Sequence, residues 1–393
     1  MFGLRCLIMW IVVSVTTIGL ALSECQEVLK RDRLSSAPDP MTLSQVVRSD
    51  SSVEFSLKAP AASSVEVHIE YMPPIVMTKN QAGTWTGISD PLSPDLYLYS
   101  LVVDRITVAD PTNPLFLSSV AYGPTSILEV PKPGSLWEYA SVPHGSIEHR
   151  YFHSHITGGL KDMFIYTPPG YEPTSRKPYP VLYLLHGLGD TADAWTTIGR
   201  VNVIMDNLLA RRLTRPMLIV MPLAYGDKDP RTSVPEMLSE APSAEGDSEM
   251  MRRFSASLIQ EIMPIVRQNY RTSTNAHDNA IAGLSMGGSE ALLIGLEHPG
   301  VFDYIGSFSG ALDMWGTQSF DQVFKGVEFG LRRRDHILWL SCGKQDALRS
   351  INENFEHWLT SRGIHYYALE QGGAHSWRFW RDNLISFAQK LFR

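Results

Sequence analysis

A serine with glycine two residues before it and two after it, Gly283-Leu284-Ser285-Met286-Gly287, is the stretch of this chain best suited to nucleophilic chemistry. A hydroxyl attacks poorly unless an imidazole takes its proton and a carboxylate orients that imidazole. Downstream lie Asp346, in Cys342-Gly343-Lys344-Gln345-Asp346, and His375, in Gly372-Gly373-Ala374-His375-Ser376-Trp377. Serine, acid and histidine in that chain order suit a mostly parallel α/β sheet, whose sites form outside the carboxyl ends of its strands. Ser285, Asp346 and His375 are therefore the expected catalytic residues, with Asp313, after Ser309-Gly310, as the alternative acid.

The spacing of the glycines has a mechanical cause. A serine perched on a tight strand-to-helix turn needs small neighbours, because strand and helix pass too closely for a β-carbon. Such a turn also aims the backbone N–H of Met286 where a negative oxygen would develop. The second donor is expected from His186-Gly187-Leu188-Gly189-Asp190, with the N–H of Leu188 as the candidate. Gly187 and Gly189 lack the third glycine of a dinucleotide fingerprint, so no cofactor is expected. His153-x-His155 could set two imidazoles on one strand face, but no cysteine or carboxylate cluster joins them, and no metal site is expected. Trp195 and Trp377 flank the predicted oxyanion and histidine loops, as substrate-lining candidates or as packing against the sheet.

The elements that must position these residues are legible as rhythm. Apolar runs at 164–166, 181–185, 217–221, 280–284, 304–308, 337–340 and 366–369 alternate with helical segments. Near-continuous apolar strands separated by helices predict a parallel sheet covered on both faces, here an α/β-hydrolase sheet over residues 145–393. Leu348, Ile351, Phe355, Trp358 and Leu359 have the spacing of one buried helical stripe. From 41 to 130 the runs shorten and alternate, as in Val53-Glu54-Phe55-Ser56-Leu57 and Val65-Glu66-Val67-His68-Ile69, which predicts a small all-β, immunoglobulin-like sandwich. Residues 131–144, with Pro131, Pro133 and Gly134, read as a linker. Residues 226–248 are long and polar enough for a lid or a substrate-lining loop.

At the N-terminus, Arg5 and the apolar run from Cys6 to Leu22 have the form of a secretory signal over 1–23, followed by a flexible leader over 24–40. This predicts a secreted or periplasmic protein with no span in the mature chain, and Glu24 is a poor neighbour for lipidation at Cys25. One of the three cysteines lies inside the signal, so no disulfide framework is possible. Lys and Arg number 34 against 41 Asp and Glu, a net charge of −7, which argues against nucleic acid as a partner.

Two resemblances add to this reading. Phe55-x-Leu57-x-Ala59-Pro60, Gly83-x-Trp85, Leu96-Tyr97-x-Tyr99 and Asp110-Pro111-x-Asn113-Pro114 resemble the early-set, glycogen-binding type of β-sandwich that precedes glycogen-branching enzymes. Trp85 could then stack on a sugar, although a core position is the simpler expectation, and an accessory or spacer role is expected of the domain. From Gly145 onward the chain resembles the esterase D-like, feruloyl-esterase group of carbohydrate esterases. The match lies in Tyr166-Thr167-Pro168-Pro169-Gly170-Tyr171, Leu184-Leu185-His186-Gly187, the run 199–208, Gly283-Leu284-Ser285-Met286-Gly287-Gly288 and Gly373-Ala374-His375-Ser376-Trp377. Ala374 stands as an insertion where members often read Gly-Gly-His. The resemblance implies a serine esterase that cleaves feruloyl or acetyl esters of an esterified plant cell-wall polysaccharide or oligosaccharide. Alternatives of related fold are an enterochelin-type siderophore esterase, an acyltransferase, or a catalytically idle carbohydrate-binding protein. Oligomeric state is not legible.

Overall fold

The computed structural model describes residues 44–119, 123, 125–227, 246–316, 318–325 and 337–393. The expected signal, the leader with Cys25, and all but the ends of the 226–248 loop lie outside the described residues. Ser44–Arg393 is one compact unit. Among the described residues no helix is long and apolar enough to cross a membrane.

The described residues begin with ten strands: β1 (Gln45–Val47), β2 (Val53–Lys58), β3 (Val65–Ile69), β4 (Ile75–Val76), β5 (Thr78–Lys79), β6 (Thr84–Ile88), β7 (Asp95–Val103), β8 (Ile106–Val108), β9 (Phe116–Leu117) and β10 (Thr125–Val130). They form two antiparallel sheets, one in the order β1-β2-β6-β5 and one in the order β4-β3-β7-β10-β9 with β8 on β7. In β2 and β3 every second residue is buried, so one face of each sheet turns inward. Phe55, Val65, Val67, Trp85, Tyr99 and Leu101 meet in the shared core between the sheets. Trp85 is a core residue, 7% exposed, with its indole N–H donating to the Ala59 carbonyl at 2.9 Å. The Asp110-Pro111-x-Asn113 motif is a corner brace. The Tyr99 hydroxyl donates to Asp110 at 2.7 Å, and the Asn113 amide donates to the Ile127 carbonyl at 2.8 Å.

The second sheet system has eight strands: β11 (Ser146–His153), β12 (Leu160–Thr167), β13 (Val181–Leu185), β14 (Leu218–Pro222), β15 (Asn279–Leu284), β16 (Tyr304–Phe308), β17 (Ile337–Ser341) and β18 (Tyr367–Leu369). Their order is β11-β12-β14-β13-β15-β16-β17-β18. From β14 to β18 the pairing is parallel, while β11 and β12 run antiparallel, so the sheet is mixed rather than parallel throughout. The periodicity missed β11 because it is an edge strand with mostly exposed residues and no apolar run.

Among the described residues, eight α-helices accompany these strands: α1 (Ala194–Thr197), α2 (Val201–Ala210), α3 (Gly246–Ser257), α4 (Met263–Asn269), α5 (Met286–Glu297), α6 (Phe320–Val323), α7 (Arg349–Ser361) and α8 (Trp377–Ala388). Alternation along each strand divides the core into two layers. Val181, Tyr183 and Leu185 face one layer with residues of α3, α4, α5 and α7. Leu182 and Leu184 face the other, with residues of α1, α2 and α8. In α7 the expected stripe is realised, with Phe355 and Leu359 buried and Ile351 and Trp358 packed beside them.

The two sheet systems share apolar core. Leu96, Leu117 and Ile127 of the first belong to the α1–α2–α8 layer of the second. Buried Arg381 of α8 pairs with Asp95 and donates to the Leu96 carbonyl at 3.0 Å, and Arg200 pairs with Glu129 at 2.6 Å. The stretch expected as a linker is packed rather than loose. Trp137 is buried, and the Asn207 amide donates to the Leu136 and Glu138 carbonyls at 2.9 and 2.8 Å.

Candidate active site

Ser285 stands between β15 and α5 with φ +52° and ψ −118°, a conformation that a non-glycine residue holds only when its surroundings impose it. The surroundings here are backbone. A β-carbon on Gly283 would lie 2.3 Å from the Gly287 carbonyl oxygen, and one on Gly287 would lie 2.4 Å from that of His186. The two glycines thus allow the β15–α5 turn and its approach to the end of β13. Gly288 adds a third close passage, since a β-carbon there would lie 2.9 Å from the Ser307 hydroxyl oxygen.

The Ser285 Oγ lies 2.9 Å from His375 Nε2, and His375 Nδ1 lies 2.9 Å from Asp346 Oδ2 and 3.1 Å from Oδ1. Asp346 follows β17, and His375 stands just before α8, so both occupy the carboxyl-end side of the sheet. The Asp346 side chain is fully enclosed. Burial alone would raise its carboxyl; the hydrogen bonds from His375 and from the Leu348 N–H outweigh that and hold it below the usual carboxylate range. Asp313, the alternative acid, is exposed on the cavity wall and makes no contact with His375. An enclosed carboxylate on Nδ1 fixes the tautomer that leaves Nε2 able to accept the serine proton.

The loop 186–190 closes the other side. His186 is buried, donates from Nδ1 to the Gly187 carbonyl at 2.9 Å and accepts the Ala224 N–H on Nε2 at 3.1 Å. Burial lowers it to about 4, so it stays neutral as both donor and acceptor. The Tyr225 hydroxyl reaches the Gly187 and Asp190 carbonyls at 3.2 and 2.8 Å, and the Asp190 carboxyl accepts the Gly187 N–H at 3.3 Å. Burial pushes Asp190 up to about 7. Neither the Leu188 nor the Met286 N–H has a backbone acceptor among the described residues, which leaves both available to an oxygen bound near Ser285.

Ser285, His375 and Leu188 open on a cavity of about 620 Å³ with a largely apolar wall that includes Leu117, Leu284, Met314, Trp377 and Trp380. Trp377 is mostly buried yet reaches this wall. Trp195 does not; it is wholly enclosed, donates its indole N–H to the Leu185 carbonyl at 2.9 Å and packs edge-on against Trp377 at 5.1 Å. Its position beside the loop in sequence is a packing position in space. His153 and His155 lie 5.6 Å apart by ring centroid, and among the described residues no cluster of three or more His, Cys, Asp or Glu side chains forms a metal site.

A comparison with known families matches residues 154–391 to the putative esterase family. The chain belongs to that family. A relative named endo-1,4-β-xylanase/feruloyl esterase, from Xylanibacter ruminicola, is 30% identical over 359 residues, covering 88% of this chain and 46% of the relative. The chain thus spans less than half the length of that relative. Among solved structures, a ferulic acid esterase of Anaeromyces mucronatus matches 67% of this chain and 98% of its own, with TM-score 0.56 and 23% identity. The enterobactin esterase of Shigella flexneri matches 87% of this chain and 92% of its own, with TM-score 0.65 and 19% identity. At these identities the two structures speak for the fold.

Six cavity residues of this family member come from outside the matched segment, Leu98, Leu117, Ser119 and Thr125 beside Glu70 and Tyr71, and the sequence places none of them at the site. Glu70 and Tyr71, in the turn after β3, line the cavity, and the Tyr71 hydroxyl donates to the His375 backbone carbonyl. Glu70 accepts the Leu98 N–H at 3.1 Å, and burial pushes it up to about 7. No motif surrounds them. The one local signal is an aromatic residue at φ +59° in a surface turn, which becomes visible only with the backbone.

Proposed function

We propose that the protein is a serine carboxylic-ester hydrolase acting on hydroxycinnamoyl, above all feruloyl, esters of plant cell-wall polysaccharide. The observation that carries this reading is the continuous line of hydrogen bonds Asp346–His375–Ser285 opening on an apolar-walled cavity. His375 takes the Ser285 proton as Oγ attacks the ester carbonyl; the resulting oxyanion is held by the N–H groups of Leu188 and Met286. The intermediate collapses to an acyl-enzyme as His375 returns the proton to the departing alcohol. Water, deprotonated by the same imidazole, then releases the acid and restores Ser285. The name of the Xylanibacter relative supports the choice of ester, and the apolar run of residues 6–22 supports export.

The wall of the cavity weighs against a strongly anionic catecholate ligand. It carries the carboxyl groups of Glu70, Asp190 and Asp313 and, among the described residues, no Lys or Arg. Initial rates on methyl ferulate, acetylated xylan and a catecholate siderophore lactone test the proposal. Preference for the ferulate ester is expected. Preference for the lactone would move the protein to iron uptake, and turnover of none of the three would end the ester-hydrolase reading.

A further inference from the structure

Beside the first cavity lies a second of about 450 Å³, and the two share Glu70, Tyr71 and Ser376 in their walls. We propose that this second cavity binds the saccharide portion of the ester, so that the acyl and alcohol halves of the substrate occupy separate, adjoining spaces. The inference rests on the ester-hydrolase reading above and specifies its substrate class.

The direction of the leaving group is the first support. His375 Nε2 must return a proton to the departing alcohol oxygen, so the alcohol lies on the histidine side of the scissile carbonyl. The second cavity abuts the histidine loop through Gly372, Gly373, Ala374 and Ser376. Tyr71, hydrogen-bonded to the His375 carbonyl, stands at the divide. A sugar chain attached to the leaving oxygen would pass Tyr71 to enter the second space.

The walls are the second support. The first cavity sets Trp377 and Trp380 beside the carboxyls of Glu70, Asp190 and Asp313, and its tryptophans suit a planar acyl group. The second presents the Gln371 amide, the Asp382 and Glu70 carboxyls and the Tyr97 phenol, groups that recognise hydroxyls. Its wall cation, Arg378, is paired through Nε with Asp95 at 3.2 Å. Two carboxyls beside one paired cation favour a neutral donor of hydroxyl protons over an anion. The Tyr71 ring is 63% exposed and fixed in a left-handed turn, so one of its faces can receive the apolar face of a sugar ring. Because Glu70, Tyr71 and Tyr97 belong to the N-terminal strands and their turns, those strands would form one wall of the saccharide site.

The test compares kcat/KM for methyl ferulate with that for a feruloylated arabinoxylan oligosaccharide, in the wild type and in the double variant Gln371→Ala, Asp382→Ala. Loss of two hydrogen-bonding side chains is expected to lower the ratio of oligosaccharide to methyl ester by about tenfold or more. An unchanged ratio overturns the proposal. Calorimetric titration of the free arabinoxylan oligosaccharide into Ser285→Ala, with and without the double substitution, separates the two readings. Binding that needs Gln371 and Asp382 supports the saccharide site even if neither ester is hydrolysed, and absence of binding to the Ser285→Ala protein overturns it. A thermal melt of each variant shows that its fold is retained.

Discussion

Two turns meet at the same cavity and differ in every other respect. The turn at Ser285 is local. Its strained serine, the glycines that permit it and the helix that follows all lie within a few residues of one another, and their chemistry is visible in their types. The turn at Glu70–Tyr71 arrives from another pair of sheets, contacts His375 some 300 positions away in the chain, and carries no motif. The difference teaches that a candidate nucleophile can be recognised by the constraints of its own backbone, whereas a wall of its pocket is defined by how two layers of strands dock. It also recasts the N-terminal strands. Expected as an accessory or spacer, they are joined to the hydrolase sheet by shared core and buried ion pairs, and they supply part of the site's wall.

Substitutions separate the two turns by the size of their effects. Ser285→Ala should lower kcat by roughly 10⁴-fold or more with the melting temperature nearly kept, because it removes the nucleophile and little packing. Asp346→Asn should cost about 10⁴-fold through the histidine tautomer, whereas Asp313→Asn should change turnover little. The opposite ranking of the two carboxylates, read from steady-state kinetics, would transfer the acid role to Asp313.

A smaller effect is expected at the second turn. Burial, with the Glu70 and Asp346 charges nearby, pushes the Tyr71 phenol up to about 12, so it remains a hydrogen-bond donor throughout the working pH range. Tyr71→Phe deletes that donor and should reduce kcat on methyl ferulate by about fivefold, the effect of one ordinary hydrogen bond on the histidine loop. If kcat is unmoved while the oligosaccharide ratio falls, Tyr71 acts through the sugar alone and the contrast between the two turns sharpens.

The smallest effect concerns pH. Asp190, pushed up to about 7 by burial, binds its proton more tightly in the folded chain than in the unfolded one. Its contribution to stability is therefore full below about 4 and is lost as pH rises through about 7. Asp346 has the opposite sign: its carboxyl lies below the usual range, so its contribution is present above the unfolded value and lost as pH falls. Melting curves of Asp190→Asn should lack part of the wild type's decline between about pH 4 and pH 7. Parallel curves for both proteins would mean that Asp190 is already solvated in the native state.

The sequence was most legible where one residue's neighbours along the chain are also its neighbours in space. The elements from β13 to β17, the Ser285 turn and the stripe of α7 were read correctly because buried strands and one-sided helices impose apolar periods. β11 was not read, since an edge strand buries little and has no such period. Trp195 was placed beside the oxyanion loop correctly in sequence, yet its ring turns into the core, because a four-residue helix sets its direction. Residues 131–144 have the prolines of a linker and the packing of a strap, a distinction that depends on Trp137 finding a buried site on the far helices.

By itself, then, the sequence determined the chemistry: a hydroxyl on a turn only glycine can flank, and a carboxylate and an imidazole in the chain order that a largely parallel sheet requires. The sequence favours Asp346 over Asp313, and the structure sets Asp346 on His375; tertiary structure alone decided that the sheet is mixed and that Glu70 and Tyr71 enter the site. The physical reason is range. Backbone strain and periodic burial act over a few residues and leave their mark on local composition, whereas the meeting of two sheet systems is settled by shape, shared apolar area and buried ion pairs between residues far apart in the chain.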